Sequence, residues 1–275
     1  MSDLAQRTVL VTGATDGLGR GLAAAVARRG ATVLLHGRDP ARADRVLAEV
    51  RELGGGRHAV YIADYSSLAE VHAMAERILG ERDALHVLVN NAGIGTTLPG
   101  GGERMESQDG NELRFQVNYL AGYLLTSMLE PLLVRSAPAR VVNVASAAQM
   151  PIDFADVMLE RDYSGMQAYC QSKLAQVMHA FDLAQSQDPA TLTANALHPA
   201  TYMPTKMVLA ARGSAVSTLE EGVEATVRLV ADPDLDAVSG RYYNCLREDA
   251  AHPQAYDLDA RRRLNDLSER LIAAG

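Results

Sequence analysis

Tyr169 and Lys173 stand four residues apart in the run Ala168-Tyr169-Cys170-Gln171-Ser172-Lys173. On a helix that spacing places both side chains on one face, about one turn apart. A free tyrosine ionises near pH 10 and does little proton chemistry at neutral pH. A lysine cation held beside it favours the phenolate and draws its pKa toward the working range. The pair therefore has the parts of a general acid/base centre. Taken alone it is also the pattern of a solvated helix face. Composition weighs against that: of 26 Lys plus Arg, only Lys173 and Lys206 are lysine. Arg fills the other cationic positions, so a lysine here is not generic surface charge.

A second candidate is Gly13-Ala14-Thr15-Asp16-Gly17-Leu18-Gly19. It follows a β-branched run at 7–12 and precedes an alanine-rich helical pattern at 20–29. Strand, glycine turn and helix N-terminus together receive a diphosphate through backbone N–H groups. The spacing Gly-x-x-x-Gly-x-Gly differs from the commoner Gly-x-Gly-x-x-Gly fingerprint. A purely structural turn is the alternative, and the next strand at 31–36 favours the nucleotide reading. That strand ends in His36-Gly37, followed by Arg38-Asp39-Pro40. An Arg there accommodates the extra phosphate of NADP, whereas an acid binds the ribose of NAD. Arg38 points to NADP(H); Asp39 leaves NAD open, and Asp16 adds an unhelpful charge near the phosphates.

These groups need a scaffold. Further strands read at 57–62, 85–89, 140–145, 192–197 and 240–243. Helical patterns alternate with them at 41–53, 66–79, 111–134, 166–185, 218–230 and 255–272. Near-continuous apolar strands between helices predict an α/β fold: a doubly wound parallel sheet of about seven strands with helices on both faces. No composition break divides residues 1–275, so a single domain is expected. Ser146 falls at the carboxyl end of the fifth strand, where open α/β sheets place ligands.

The bulk numbers exclude other classes. Net charge is −8, with no long basic run, against nucleic acid or an anionic membrane as principal partner. No stretch reaches the roughly 18 apolar residues of a membrane span, and no signal peptide is evident, so a cytoplasmic protein is expected. Cys170 and Cys245 have no metal-ligand spacing. Cys170 points about 100° from Tyr169 on a helix and reads as a buried free thiol.

The ensemble resembles the short-chain dehydrogenase/reductase family. Thr12-Gly13-Ala14-Thr15-Asp16-Gly17-Leu18-Gly19 is similar to its cofactor motif and Asn90-Asn91-Ala92-Gly93 to its fourth-strand motif. Asn118, Ser146, Tyr169 and Lys173 resemble its catalytic tetrad. The segments at 112–120 and 163–175 resemble the retinol dehydrogenase-like branch. Ala200 departs from the Gly commonly found after Pro199.

The resemblance implies an NADP(H)-dependent oxidoreductase that reduces the carbonyl of a bulky, mostly apolar ketone or aldehyde. It implies Tyr169 as proton donor, Ser146 as oxyanion stabiliser, and Lys173 as the group that lowers the Tyr169 pKa and binds the nicotinamide ribose. Asn118 is implied to hold a water; alone it reads as a helix kink or a packed amide. Implied cofactor contacts are Gly13, Thr15, Gly17, Leu18, Gly19, Arg38, Asp64, Tyr65, Asn91, Gly93, Tyr169, Lys173 and Thr205. No metal is expected. Substrate loops fall at about 147–165 and 200–217, with Met150, Phe154, Met158, Met203 and Met207 offering apolar contact or core packing. A homodimer or homotetramer is expected, with Tyr123, Leu124, Met178 and Phe181 in either core or interface. The alternatives are an NAD-dependent alcohol dehydrogenase and a non-catalytic NADP(H)-sensing protein.

Overall fold

The computed structural model describes residues 4–54, 56–97 and 99–274. Its strands are β1 (Thr8–Val11), β2 (Thr32–Gly37), β3 (Ala59–Ile62), β4 (Val87–Asn90), β5 (Ala139–Val144), β6 (Leu192–His198), β7 (Tyr242–Asn244) and β8 (Arg247–Asp249). They form one sheet in the order β3-β2-β1-β4-β5-β6-β7-β8. The first seven strands in chain order are parallel; β8 runs antiparallel to β7. The seven expected strands are the parallel ones, to which the structure adds the antiparallel edge strand β8; the last parallel strand lies at 242–244 rather than 240–243.

The chain winds outward from β1 through β2 to β3, then crosses back to β4 and winds the other way. The strand order reverses between β1 and β4, which opens a crevice at their carboxyl ends. Val9, Leu10 and Val11 are fully buried, as are Leu34, Leu35, Leu88 and Val89. Alternate residues serve two cores: Leu10, Leu34 and Leu88 one, Val9, Val11, Leu35 and Val89 the other. Burial on both faces explains why these strands read as apolar runs.

Helices α1 (Gly17–Ala27), α2 (Pro40–Leu53) and α3 (Leu68–Glu81) connect the first strands. The expected helix at 111–134 is present as one helical run, Leu113–Arg135, that carries a π turn. It comprises α4 (Leu113–Phe115), the π turn (Gln116–Leu120) and α5 (Ala121–Arg135). Such turns mark places where tertiary bonds compete with the helical ladder. This run, Leu113–Arg135, is long and apolar enough to cross a bilayer, but here it is a core helix with Leu120, Leu125, Leu129, Leu132 and Leu133 fully buried.

Then come α6 (Gly165–Ser186), α7 (Lys206–Arg212), α8 (Leu219–Ala231) and α9 (Leu258–Ala274). Ser164 caps α6 by accepting the Gln167 N–H. The Tyr123 hydroxyl lies within hydrogen-bond distance of both Asn265 Oδ1 and Glu269 Oε1 of α9, and Phe181 packs against Tyr256. Tyr123, Leu124, Met178 and Phe181 are all buried within the chain, so of the two roles left open they take the core.

Candidate active site

The glycine turn is built by close approach. Gly13 has φ +64, and a Cβ there would stand 2.8 Å from Ala92 Cα. A Cβ on Gly19 would meet the Gly13 carbonyl oxygen at 2.2 Å. Gly17 has φ +48, a left-handed conformation that glycine adopts freely. Asp16 caps α1 by accepting the Gly17 N–H. Leu18 is buried in the core beside α8, so only its backbone is available to a ligand. Thr15 packs its methyl into the space left by Gly37, where a Cβ would lie 2.4 Å away.

Buried polar groups hold the turn against β4. Thr12 Oγ1 accepts N–H bonds from Asn91 (2.9 Å) and Ala92 (3.0 Å), and the Asn91 amide donates to Thr12 O at 2.7 Å. His36 Nδ1 accepts the Gly13 N–H at 3.2 Å, while Nε2 donates to Ala63 O at 3.1 Å. Burial disfavours the imidazolium and pulls the His36 pKa down to about 4, which keeps Nδ1 an acceptor at neutral pH. Thr12 and His36 were not singled out as site residues. The signal was present: Thr12 directly precedes the glycine run after β1, and His36 lies near the carboxyl end of the neighbouring β2.

Tyr65 was expected at the cofactor. It is buried in the hydrophobic core and stacked on His36, with ring centroids 4.3 Å apart. Asp64 sits at the carboxyl end of β3, as expected, and its carboxylate accepts the Ser66 N–H. Asp39 accepts the Arg42 N–H as the cap of α2, so its carboxylate is engaged. Arg38 is exposed at the end of β2.

The four chemistry-bearing residues converge beyond β4 and β5. Ser146 lies just past β5 and Tyr169 faces it from α6, close enough that the Ser146 hydroxyl favours the Tyr169 phenolate by hydrogen bonding. Lys173 Nζ lies 5.7 Å from the Tyr169 ring centroid. It donates to Val144 O (2.9 Å) and to Gln176 Oε1 (2.8 Å). Both acceptors are neutral dipoles, so burial dominates and lowers the Lys173 pKa to about 7. The expectation that Lys173 draws the Tyr169 pKa down is not met in this conformation. Burial raises Tyr169, and the group opposing that rise is Ser146.

Asn118 lies in the π turn and is a packed amide. Its Oδ1 accepts the Ile94 N–H (2.7 Å), and Nδ2 donates to Ser172 Oγ (2.9 Å) and Ile94 O (3.2 Å). Both amide protons are spent on protein, so the side chain clamps the loop after β4 to α6. Gly93 lies between this clamp and Lys173: a Cβ there would stand 3.1 Å from Asn118 Oδ1 and 3.5 Å from Nζ. Cys170 is a buried thiol near Met166 Sδ, pushed up to about 11 by burial, and is inert at neutral pH.

Sequence reasoning also missed Arg114. Its guanidinium is fully buried and donates to the carbonyls of Gly95, Thr96 and Pro99 and to Tyr163 Oη. Glu112, equally buried, accepts from the Phe115 N–H and Tyr163 Oη. This pair ties the loop after β4 to the start of the Tyr169 helix.

On the substrate side, three of the named residues make contacts within the protein. Met158 Sδ accepts the Glu112 N–H, Met203 packs against Gly222, and Phe154 lies under the Arg263 guanidinium. The Met207 side chain lies outside the described residues. Met166, one turn before Tyr169 on α6, and Met150 are exposed, and Tyr202, Leu209 and Val216 are exposed on the segment after β6. Thr205 caps α7 and sets its methyl 3.2 Å from the position of a Gly17 Cβ.

The cradle fits a dinucleotide. Side-chain-free positions Gly13, Gly17 and Gly19 line the α1 N-terminus, and Gly93 leaves open space before Lys173 and Asn118. Among the described residues no cluster of His, Cys, Asp and Glu could hold a metal ion.

A family model described as short chain dehydrogenase matches residues 7–215. Retinol dehydrogenase 14 of Homo sapiens is 34% identical over 97% of this chain and 86% of its own length. The WW domain-containing oxidoreductase of Homo sapiens is 31% identical over 98% of this chain and 69% of its own. Among solved structures, a Mycobacterium paratuberculosis protein of uncharacterised function has a TM-score of 0.79 at 29% identity, covering 99% of this chain and 96% of its own. A Shigella flexneri chain described as a short chain dehydrogenase, complexed with NADP, has a TM-score of 0.74 at 26% identity, covering 90% of this chain and 100% of its own.

Proposed function

The chain belongs to the short-chain dehydrogenase family, in its retinol dehydrogenase-like branch, and from that premise we propose that it is an NADP(H)-dependent carbonyl reductase. The observation that carries the reading is the convergence of Ser146, Tyr169, Lys173 and Asn118 beside Gly93 and the glycine turn. A bound nicotinamide dinucleotide supplies the hydride. Gly13, Thr15, Gly17, Leu18 and Gly19 hold its diphosphate, and Asp64, Asn91 and Thr205 line the same crevice. Arg38, exposed at the end of β2, meets the 2′-phosphate; Asp39, engaged as a helix cap, is less available to a ribose.

Tyr169 gives its proton to the oxygen of the substrate as negative charge develops there. Ser146 donates to the same oxygen and stabilises that charge. Lys173, its pKa lowered to about 7 by burial, lies beside the Tyr169 ring and binds the nicotinamide ribose. Asn118 holds Ile94 and Ser172, and so fixes both walls of the site.

The exposed Met150, Met166, Tyr202 and Leu209, on the segments expected to line the substrate side, support a bulky, apolar ketone or aldehyde. We place the protein in the cytoplasm as a homodimer or homotetramer; light scattering checks the assembly. The test of function is oxidation of NADPH, with NADH in parallel, against a panel of bulky ketones and aldehydes. NADPH-dependent turnover of apolar carbonyls supports the reading. Tight NADPH binding with no turnover across the panel would favour a cofactor-sensing protein instead.

A further inference from the structure

The chain has two lysines. Lys173 lies beside the tyrosine; Lys206 has no place in the chemistry described above, yet it also reaches the nucleotide crevice. It sits on a strap spanning residues 201–217. The base of this strap is closed by two backbone bonds, Val216 N–H to Tyr202 O (2.9 Å) and Ser217 N–H to Thr201 O (3.1 Å). Between them α7 is largely exposed, with Leu209 at 45%. Tyr202 (φ +52) and Gly213 (φ +79) bracket it with left-handed conformations that can act as hinges.

Two contacts join this strap to the glycine turn. The Thr205 methyl packs over Gly17, and Lys206 Nζ pairs with Asp16 Oδ2 at 2.5 Å. The other oxygen of the same carboxylate, Oδ1, accepts the Gly17 N–H at 2.9 Å. Asp16 thus places an anion on the N-terminus of α1, the position that a dinucleotide diphosphate takes in this fold. It also holds the Lys206 ammonium one carboxylate away from that position. Lys206 and Asp16 are both more than half exposed, so their pair contributes little to stability and exchanges readily.

We propose that Lys206 is a ligand of the cofactor diphosphate, carried by a strap that closes over it, and that Asp16 is the internal anion that occupies Lys206 until the diphosphate replaces it. The proposal rests on the dinucleotide-binding reading. It gives Asp16 a physical role despite its charge. The carboxylate competes with the diphosphate both for the Gly17 N–H and for Lys206, so it weakens cofactor binding while keeping the empty site ordered.

Endoproteinase Lys-C, which cuts after lysine, tests this directly. Lys173 is 4% exposed in the middle of α6, so in the folded protein cleavage reports on Lys206. Saturating NADP⁺ is expected to slow cleavage at Lys206 by about tenfold, and Asp16→Asn to speed it in the unliganded protein. By calorimetry, Lys206→Gln is expected to weaken NADP⁺ roughly threefold to tenfold while leaving adenosine 2′-monophosphate, which has no diphosphate, unchanged. Asp16→Asn is expected to tighten NADP⁺. Bound NADP⁺ with an unchanged cleavage rate overturns the strap proposal alone, as does unaltered NADP⁺ affinity in Lys206→Gln. Absence of any dinucleotide binding overturns both the proposal and the functional reading beneath it.

Discussion

Removing the Arg114 guanidinium is the substitution whose cost the structure defines best. Arg114 and Glu112 are both wholly shielded from solvent, with Nη1 and Oε1 3.7 Å apart. Arg114→Met keeps the approximate length of the side chain and removes its charge. It orphans the carbonyls of Gly95, Thr96 and Pro99 and leaves the Glu112 carboxylate buried without its cation. Breaking a buried ion pair from one side costs about 3–5 kcal/mol, and each stranded carbonyl adds up to about 1–3 kcal/mol before relaxation. We expect a loss of about 4–6 kcal/mol in urea unfolding, which corresponds to a melting temperature lower by roughly 10–20 °C in a chain of this size. Glu112→Gln keeps a neutral acceptor for the Phe115 N–H and Tyr163 while removing the charge. In the Arg114→Met/Glu112→Gln double variant the losses should fall short of additive by about 1.5 kcal/mol or more. A single-variant loss below about 1 kcal/mol, or strict additivity, would refute the claim that this pair holds the loop after β4.

Other perturbations have equally definite signs. His36 is held near pKa 4 in the fold but titrates near 6.5 when unfolded, so its stabilising contribution is complete above about pH 6.5 and is lost as pH falls toward 4. The full window is worth on the order of 3 kcal/mol, and His36→Gln should flatten that part of the urea stability–pH profile. His179, also held near 4, leaves a residual slope. Gly19→Ala drives a methyl into the Gly13 carbonyl, and calorimetry should show NADP⁺ affinity reduced by about tenfold or more. Arg38→Asp should move the ratio of kcat/KM for NADPH over NADH toward NADH by roughly 10–100-fold; an unchanged ratio removes Arg38 from the 2′-phosphate site.

The parts legible in the sequence are those set by local periodicity. Buried strands, glycine turn and the Tyr169–Lys173 spacing each lie within a few residues, so the sheet and its crevice follow from pattern alone. β8 escaped because Arg247–Asp249 is a polar, exposed edge strand with no apolar signal. The π turn escaped because it is imposed by bonds from Asn118 to Ile94 and Ser172, 24 and 54 residues away. The network of Asn90, Thr126 and Asn143 under the site is likewise long-range. Gln176 was within reach, since it lies three residues after Lys173 on the same helical face and accepts its hydrogen bond. The Lys173 pKa was not, because it is set by burial among neutral dipoles, which spacing does not encode.

The central claim is that Tyr169 delivers the proton that accompanies hydride transfer to a carbonyl. Tyr169→Phe removes the hydroxyl and little else, so one comparison tests it: NADPH affinity by calorimetry beside carbonyl-dependent NADPH oxidation. The account predicts NADPH affinity within about threefold of wild type and turnover lowered by about 10²–10⁴-fold. Turnover retained within a few-fold, with the cofactor bound normally, would contradict it.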